Sequence, residues 1–388
     1  MKKKIVILGS TGSIGKSLFN ILKKDKNNFE ICLLTANSNY KELLKQVKIF
    51  KVKNIVITNK IAFIKIKKIL NKKKISIYND FDSLSIIFKK KEIDYVMSSI
   101  SGFHGLKPTL DIIKFCKKIA IANKESIICG WSLIKKNLKI NKTEFIPVDS
   151  EHFSIWSLID HLKNDNIEKV FITASGGPFR NYPLNKFKFI TKEMALNHPN
   201  WVMGKKISID SATMMNKVFE IIEAQKIFNL NYDQLKIIVH PKSYLHALVK
   251  FNNGLIKILI HDTNMKIPIF NSLYTNTKKT IKSKELNLDI LNNLDLKFID
   301  KKRFPLIGIL DNLSNNDTLY ETVIVSANDC LVNLFLDDKI KFTDISKILL
   351  YILNMSEFNK YKKIIPKNIM DITRLSNYVS LKISNMSI

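Results

Sequence analysis

The stretch that decides the fold class of the N-terminal part is Lys4-Ile5-Val6-Ile7-Leu8-Gly9-Ser10-Thr11-Gly12-Ser13-Ile14-Gly15. A short β-branched run leads directly into a glycine-rich turn, and the apolar residues that follow recur at helical spacing. Glycines at the start of a helix let the backbone approach a pyrophosphate closely, while the helix N-terminus attracts its charge. The GxxGxxG spacing therefore favours dinucleotide binding, with a tight strand–helix connection as the alternative.

Short β-branched runs and amphipathic helical stretches alternate as far as residue 149. The predicted strands are Lys4–Leu8, Glu30–Ala36, Asn54–Thr58, Asp94–Ile100, Ile119–Asn123 and Glu144–Val148. Runs of this kind are typical of buried parallel strands. The pattern predicts an α/β fold with a Rossmann-like dinucleotide-binding domain over residues 1–149.

The pattern changes after residue 150, and three further regions are predicted. Residues 150–275 read as a second, α+β domain, residues 276–302 as a polar linker, and residues 303–388 as an α-helical domain. The predicted elements are strands Val170–Ala174 and Lys236–His240, a hairpin of Leu245–Phe251 and Leu255–Ile260 around Asn252-Asn253-Gly254, and helices Met214–Phe228, Glu321–Leu336 and Asp344–Leu353, the last capped by Thr343.

The formal net charge of +29 invites a nucleic-acid interpretation, but the type of basic residue argues against it. Only three of the 63 basic residues are arginine, whose planar guanidinium is favoured in nucleic-acid readout. The lysines are spread over the whole chain, which is typical of solvated surface charge. We expect an anionic small-molecule substrate rather than nucleic acid as the partner.

Composition excludes several other classes of protein. Hydrophobic residues make up 46% and charged residues 25%, as in ordinary globular proteins rather than disordered chains. No run approaches the roughly 20 apolar residues of a membrane span. The four scattered cysteines form no CxxC pair, which favours a reducing, cytoplasmic location.

The end of the second strand supplies a cofactor signal. A carboxylate there binds the ribose 2′-hydroxyl of NAD, whereas this chain has Asn37-Ser38-Asn39. Because no carboxylate is present there to repel it, the 2′-phosphate of NADP can be accommodated, so the segment favours NADP over NAD.

Two acids follow the last predicted strand of the first domain, in Pro147-Val148-Asp149-Ser150-Glu151-His152. In an extended chain the side chains of Asp149 and Glu151 point the same way, and two adjacent carboxylates suit a hard cation such as Mg²⁺ or Mn²⁺. The alternative is an exposed acidic turn that caps the following helix.

The predicted helix 214–228 adds a polar arc, which consists of Asn216, Lys217, Glu220 and Glu223. This arc could face a cleft, and together with the hydroxyls of Asp210-Ser211-Ala212-Thr213 it suits a phosphate. The alternative is an ordinary surface helix with a Lys217–Glu220 pair.

Two loops carry glycine, proline and aromatic residues. Ser175-Gly176-Gly177-Pro178-Phe179-Arg180 follows a strand, and His198-Pro199-Asn200-Trp201-Val202-Met203-Gly204 resembles a mobile lid. Taken alone, each is more often a structural loop. The other histidines, His104, His161, His240, His246 and His261, are interpreted as surface or core residues.

Six motifs in order carry a family resemblance. They are Gly9–Gly15, Ala122-Asn123-Lys124-Glu125-Ser126, Pro147–His152, Ser175–Arg180, His198–Trp201 and Asp210-Ser211-Ala212-Thr213-Met214-Met215-Asn216-Lys217. Together they resemble the 1-deoxy-D-xylulose 5-phosphate reductoisomerases over nearly the whole chain. The resemblance implies rearrangement of that sugar phosphate and reduction by NADPH to 2-C-methyl-D-erythritol 4-phosphate, a Mg²⁺ or Mn²⁺ ion, and a homodimer.

The resemblance also implies residue roles. The metal ligands would be Asp149, Glu151 and Glu220, and the substrate would contact Lys124 and Ser150 beside the metal. The phosphate would be held by Ser175, His198, Ser211, Asn216 and Lys217, under a lid with Trp201 and Met203. The cofactor would contact Thr11, Gly12, Ser13, Ile14, Asn123, Glu125 and Gly204. The segment after the second strand, where relatives commonly have a glycine and a basic residue, adds Asn37, Ser38 and Asn39 as expected cofactor contacts. A different NADP-dependent oxidoreductase and a nucleic-acid-binding protein are the competing hypotheses.

Overall fold

The computed structural model describes residues 1–71, 74–159, 166–275 and 277–386. Its strands are β1 (Lys3–Leu8), β2 (Phe29–Ala36), β3 (Asn54–Ile57), β4 (Ser76–Tyr78), β5 (Tyr95–Ser98), β6 (Lys118–Ile121), β7 (Glu144–Pro147), β8 (Ile167–Ala174), β9 (Leu235–Val239), β10 (Leu245–Phe251), β11 (Ile256–Ile260) and β12 (Lys297–Phe298). Within these residues, no helix is long and apolar enough to cross a membrane.

The helices complete the secondary structure. They are α1 (Ser13–Lys24), α2 (Tyr40–Phe50), α3 (Lys60–Leu70), α4 (Leu84–Ile87), α5 (Leu106–Ile113), α6 (Lys124–Asn141), α7 (Ser150–Leu158), α8 (Lys192–Leu196), α9 (Lys205–Ala212), α10 (Met215–Phe228), α11 (Lys266–Leu273), α12 (Leu288–Asn292), α13 (Tyr320–Leu336), α14 (Phe342–Leu353), α15 (Ser356–Asn359) and α16 (Ile369–Ser384). Short 3₁₀ turns include Leu184–Phe189 and Pro305–Asn312.

The first sheet is parallel, with strand order β4-β3-β2-β1-β5-β6-β7. The order reverses at β1, which pairs with β2 on one side and β5 on the other. In doubly wound sheets a ligand binds at the carboxyl ends of the strands beside such a reversal. The predicted Rossmann-like fold is confirmed, and the turn that opens at Gly9 lies at the reversal.

The second sheet has the order β11-β10-β8-β9-β12. Strands β8 and β9 run parallel, and the β10–β11 pair is antiparallel, as the Asn252-Asn253-Gly254 turn predicts. Gly254 has φ +84°, a conformation that a residue with a Cβ rarely adopts. The hairpin prediction is confirmed, and β11 forms the edge of this sheet.

The chain forms two compact units. The first contains Met1–Ser126, Leu133–Asp149 and Asn264–Lys282, and the second contains Ile127–Ser132, Ser150–Thr263 and Ser283–Ile388. The apolar core of the first unit includes Ile5, Leu34 and Ile55 from the sheet and Ile269 and Leu273 from α11. The first unit therefore includes residues 264–282, which the sequence assigned to the end of the α+β domain and the start of the linker. The finer division into α+β domain, linker and helical domain stays a prediction.

Several local elements differ from the sequence predictions. Residues 276–302 contain two short elements that were not predicted, α12 and β12, and β12 pairs with Ile238 and Val239 of β9. Helix α14 begins at Phe342 with Lys341 at the cap position, so Thr343 lies inside the helix rather than capping it. Strand β4 was not predicted, because it is only three residues long and none of its side chains is fully buried. These elements depend on tertiary pairing more than on local pattern.

Candidate active site

The glycine turn is built around two positions that tolerate no side chain. Gly9 has φ +80°, and a Cβ there would lie 2.6 Å from the carbonyl oxygen of Ser99. A Cβ on Gly15 would lie 2.4 Å from the Gly9 oxygen. Gly12 differs, because its nearest neighbour would lie at an ordinary 3.5 Å and its φ of −76° is unstrained. The fold itself requires glycine at positions 9 and 15. Gly12 is not required by the fold, and its lack of a side chain leaves room for a ligand to approach the backbone.

The amino end of α1 is open to an anion. Its N-cap, Gly12, has no side chain to accept from the first-turn N–H groups, and the first turn contains no acidic residue. Thr11, Ser13 and Ile14 surround this end, and all three are at least partly exposed. Uncapped N–H groups and the helix dipole together attract a phosphate.

The residues after β2 lie at the carboxyl ends of the strands of the first sheet, as the glycine turn after β1 does. The Asn37 amide donates to the Thr58 hydroxyl at 2.9 Å, and the Asn39 side chain accepts from the Glu42 N–H and so caps α2. Asn37, Ser38 and Asn39 are all exposed. The segment is thus an ordered, uncharged rim, although two of its side chains already have structural partners.

The amino end of α6 is fixed by Asn123. Its side chain accepts from the Ser126 N–H at 2.6 Å and donates to the carbonyls of Gly102 and Ile100. The next residue, Lys124, is only 8% exposed and forms an ion pair with Asp149. Glu125, a predicted cofactor contact, lies in the first turn of α6 and is partly exposed. Asn123 therefore caps α6. The helix start that it fixes places the Lys124 side chain against Asp149, a carboxylate predicted to bind metal.

The three predicted metal ligands converge. One carboxylate oxygen from each of Asp149, Glu151 and Glu220 lies within 4.8 Å of the others. Their chain geometry differs from the prediction, because Ser150 begins α7 and the 149–151 segment is not extended. Ser150 is buried, and its hydroxyl donates to Glu151 at 2.5 Å. The acids meet because α7 and α10 present Glu151 and Glu220 to each other.

Lys217 and Asn216 bind the same carboxylates. The Lys217 ammonium lies 2.6 Å from Glu151 and 2.5 Å from Glu220, and the Asn216 amide donates to the other Glu220 oxygen. Burial favours the neutral amine, but the two carboxylates outweigh it and hold the pKa of Lys217 above its ordinary value. Three clustered carboxylates that require nearby cationic charge are a donor set that fits a hard divalent cation.

The polar arc of α10 is buried rather than facing solvent. Glu220 and Glu223 are each 1% exposed and Lys217 is 7% exposed, which excludes the surface-helix alternative even though the Lys217–Glu220 pair is present. Glu223 lies 3.5 Å from His152 Nδ1, while His152 Nε2 donates to the Glu220 carbonyl at 2.9 Å. The sequence analysis assigned no role to His152. Its place directly after Glu151 indicated that it could lie close to the carboxylate cluster.

Ser175 and His198 meet as the resemblance implies. Ser175 Oγ lies 3.1 Å from His198 Nε2 and accepts from the Gly177 N–H. His198 Nδ1 accepts from the N–H groups of Asn200 and Trp201, at 3.1 and 3.0 Å. Because Nδ1 accepts twice, the proton of the neutral ring is on Nε2, which is therefore a donor. Burial and the charge of Lys217 lower the pKa of His198 to about 4.

The remaining predicted substrate and cofactor residues of this region are Ser211, Trp201, Met203 and Gly204. Ser211 lies in the last turn of α9, and its carbonyl oxygen would lie 2.8 Å from a Cβ on Gly177, so the two segments are in close contact. Trp201 packs edge-on against His246 at a centroid distance of 6.3 Å. Met203 is partly exposed, and Gly204 caps α9 in open space. The segment 198–204 is therefore joined to the Ser175 loop mainly through His198.

The other histidines that the structure describes lie at the surface or in the core, as the sequence analysis interprets them. His104 is exposed, and His240, His246 and His261 are 0%, 1% and 8% exposed. His161 lies outside the described residues.

Comparisons with known proteins agree along the whole length. Three family models match: the 1-deoxy-D-xylulose 5-phosphate reductoisomerase model over residues 5–130, its C-terminal domain model over residues 145–228, and the DXP reductoisomerase C-terminal domain model over residues 261–379. The chain is 66% identical over 387 residues to the 1-deoxy-D-xylulose 5-phosphate reductoisomerase of Pelagibacter ubique, with 100% of both chains covered. It is 38% identical to that of Phocaeicola vulgatus, covering 90% of this chain and 91% of the relative.

Solved structures agree as well. The reductoisomerase of Zymomonas mobilis in complex with NADPH matches with a TM-score of 0.86 and 31% identity, covering 99% of this chain and 98% of that one. A reductoisomerase in complex with NADPH, fosmidomycin and magnesium matches with a TM-score of 0.89 and 29% identity, covering 98% and 97%. From its sequence, its fold and its converging acids, the chain belongs to the 1-deoxy-D-xylulose 5-phosphate reductoisomerase family.

Proposed function

We propose that this chain converts 1-deoxy-D-xylulose 5-phosphate to 2-C-methyl-D-erythritol 4-phosphate with NADPH and a divalent cation, in isoprenoid precursor synthesis. The observation that carries the proposal is the convergence of Asp149, Glu151 and Glu220, whose ligand atoms lie within 4.8 Å of one another. A relative of known structure binds NADPH and magnesium together.

The acids would hold Mg²⁺ or Mn²⁺. Bound there, the cation supplies Lewis-acid polarisation of the substrate's carbonyl and hydroxyl oxygens. Lys124 contacts Asp149 and is assigned to orient that carboxylate and to donate to a substrate oxygen. Ser150 is assigned the same task beside Glu151, through a hydroxyl that already donates to it. Both residues act on oxygens, where negative charge develops during rearrangement.

The phosphate site would combine neutral donors with one cation. His198 donates from Nε2, and Ser175, Ser211 and Asn216 add hydroxyl and amide donors. Lys217 supplies charge, since its flexible four-carbon stem lets the ammonium serve either the carboxylates or a phosphate. His198 must stay neutral to keep its tautomer, and its low pKa supports this role. Trp201 and Met203 would cover the substrate and exclude water.

The nucleotide site would use the open end of α1 for the pyrophosphate, with Thr11, Gly12, Ser13 and Ile14 around it. The uncharged rim of Asn37, Ser38 and Asn39 does not repel a 2′-phosphate, which supports NADPH over NADH. Asn123, Glu125 and Gly204 complete the set of residues assigned to the cofactor.

The direct test is an NADPH-consumption assay with the purified protein and 1-deoxy-D-xylulose 5-phosphate. We expect NADPH oxidation only when both the sugar phosphate and Mg²⁺ or Mn²⁺ are present, and loss of activity with a chelator. NADH at the same concentration measures the cofactor preference. Turnover that persists in the chelator would refute the metal assignment and favour a different NADP-dependent oxidoreductase.

Assembly and location belong to the same proposal. Edge strand β11 exposes Ile256 at 58% and Ile258 at 46%, and the adjoining Leu255 at 57%. An apolar edge strand is a ready site for pairing with a second copy, which supports a homodimer. The cysteines, Cys32, Cys116, Cys129 and Cys330, are all unbridged, which supports the reducing cytoplasm as its compartment.

A further inference from the structure

Arginine is rare in this chain, with three among 63 basic residues. Two of the three, Arg180 and Arg303, donate to backbone carbonyls of one short loop, residues 175–182. The third, Arg374, is exposed on α16. Lysine fills nearly every other basic position of the chain. Two arginines bonded to the same loop therefore mark a place where the planar guanidinium is needed and a positive charge alone does not suffice.

Arg303 reaches this loop from far along the chain. Its Nη1 lies 3.0 Å from the carbonyl oxygen of Phe179 and 2.5 Å from that of Tyr182. Its guanidinium also lies over the Phe187 ring, 5.7 Å from the centroid. A lysine ammonium has no planar face to stack there and no fixed fork of donors. Arg303 therefore fixes both the backbone of the loop and the aromatic side chain next to it.

Arg180 fixes the beginning of the same loop. Its Nη1 donates to the Ser175 carbonyl at 2.7 Å. Its stem lies over Gly176, where a Cβ would come within 2.7 Å of Arg180 Cδ, and Gly176 has φ +85°. Because C=O and N–H of a trans peptide point in opposite directions, holding the Ser175 carbonyl also fixes where the Gly176 N–H points.

We propose that Arg180 and Arg303 are positioning residues that hold the 175–182 loop so that Ser175 is aligned for the substrate's phosphate. The inference rests on the proposed function, and neither arginine is assigned a contact with the phosphate itself. Ser175 is the affected group because its carbonyl is held by Arg180 and its hydroxyl lies between the Gly177 N–H and His198 Nε2.

The test compares three conservative variants: Arg180→Lys, Arg303→Lys and, as the matched control, Arg374→Lys. Each keeps the charge and loses only the guanidinium. We expect the two loop variants to raise the KM for the sugar phosphate about tenfold, the size of one lost charged hydrogen bond. Their kcat and KM for NADPH should stay within about twofold of wild type, and Arg374→Lys should change nothing.

Inorganic phosphate supplies a readout that does not need turnover. We expect calorimetry to show weaker phosphate binding in the two loop variants by the same factor of about ten. Phosphate affinity equal to that of Arg374→Lys would overturn the proposal, as would a parallel change in kcat and both KM values with a lowered melting temperature. If Arg303→Lys does not fold, Arg180→Lys alone decides, since Arg180 is partly exposed and bonds a single carbonyl.

The two proposals fail separately. Absence of wild-type turnover would refute the proposed function, and arginine-dependent phosphate affinity would still support the positioning role. Normal wild-type turnover with unchanged phosphate affinity in both loop variants would refute only the positioning role.

Discussion

Glu220 is a carboxylate that the fold keeps buried at a cost. It is 1% exposed, and Lys217 and Asn216, three and four residues earlier on α10, donate to its two oxygens. Removing a charge from water costs several kcal/mol unless it is paired, and these two donors supply that pairing. A buried carboxylate held in this way is suited to share its oxygens with a cation.

Replacing Glu220 with glutamine should abolish turnover and leave NADPH binding intact. The amide keeps the shape but loses the charge, and loss of about 4 kcal/mol of charge stabilisation corresponds to about a thousandfold in kcat. Steady-state kinetics and NADPH fluorescence measure the two quantities. Glu168→Gln is the matched control, because Glu168 pairs with Lys250 at the surface, where both side chains are 39% exposed. More than a tenth of normal turnover in Glu220→Gln would contradict the metal assignment.

His198 should remain neutral over the whole physiological range. Its pKa is lowered to about 4, by burial first and by the charge of Lys217 second, against about 6.5 in the unfolded chain. Between these values the unfolded state binds more protons, so the contribution to stability is complete above pH 6.5 and is lost as the pH falls toward 4. The ring resonances should show no titration between pH 5 and 8.

Urea unfolding at pH 7 and pH 5 measures the corresponding stability. The stability difference between wild type and His198→Asn should shrink at the lower pH, because only the wild type has this ring to charge. A midpoint near 6.5 in the ring resonances, or a pH-independent stability difference, would show that the ring is not held neutral.

The sequence could predict the types of site residue but not all of their geometry. Asp149 and Glu151 follow a strand, so their approach was expected, yet the extended conformation assumed for them was wrong because α7 begins at Ser150. The approach of Glu220 depends on tertiary packing, and only the family resemblance indicated it. Arg303 went unassigned because its contacts with Phe179 and Tyr182 span more than a hundred positions, beyond the reach of any local motif.

At the scale of elements, the glycine turn offers a paired experiment. Gly12→Ala should fold normally, because its Cβ would meet nothing closer than 3.5 Å, and should weaken NADPH binding by crowding the pyrophosphate. Gly15→Ala should instead destabilise the protein by about 1–3 kcal/mol, the usual cost of overpacking, because its Cβ would lie 2.4 Å from the Gly9 oxygen.

NADPH titration and chemical denaturation separate the two effects. If Gly12→Ala binds NADPH as well as wild type does, the turn is only a strand–helix connection. If Gly15→Ala has wild-type stability, the backbone does not make the close approach seen here.

The parallel strands could be predicted closely because each is a buried, β-branched run. Strands β2 and β7 begin or end within one residue of the prediction. Strand β4 and strand β12 escaped prediction because each is very short and exists by pairing with a neighbour, β3 and β9 respectively. The local hydrophobic pattern of the sequence predicts strands that are buried in the core. It does not predict short strands that form only because a neighbouring strand pairs with them.

At the scale of the whole molecule, the second sheet exposes apolar side chains along its edge strand. Strand β11 pairs with β10 alone among the described strands, and Ile256 and Ile258 are 58% and 46% exposed. Exposed apolar edge strands promote uncontrolled association unless another surface covers them. The proposed homodimer, with a second copy pairing through the same strand, would cover this edge and leave no further copy to add.

If the proposed homodimer forms through this edge, Ile258→Lys should convert it to a monomer. A lysine on the edge strand adds charge to a surface that would be buried between copies, a common way of preventing strand pairing. Size-exclusion chromatography with light scattering should give half the wild-type mass for this variant at micromolar concentration. Ile140→Lys is the control, because Ile140 is 67% exposed on α6 in the other unit and should leave the mass unchanged. A wild type that is monomeric, or an Ile258→Lys variant that stays dimeric, would place any interface elsewhere.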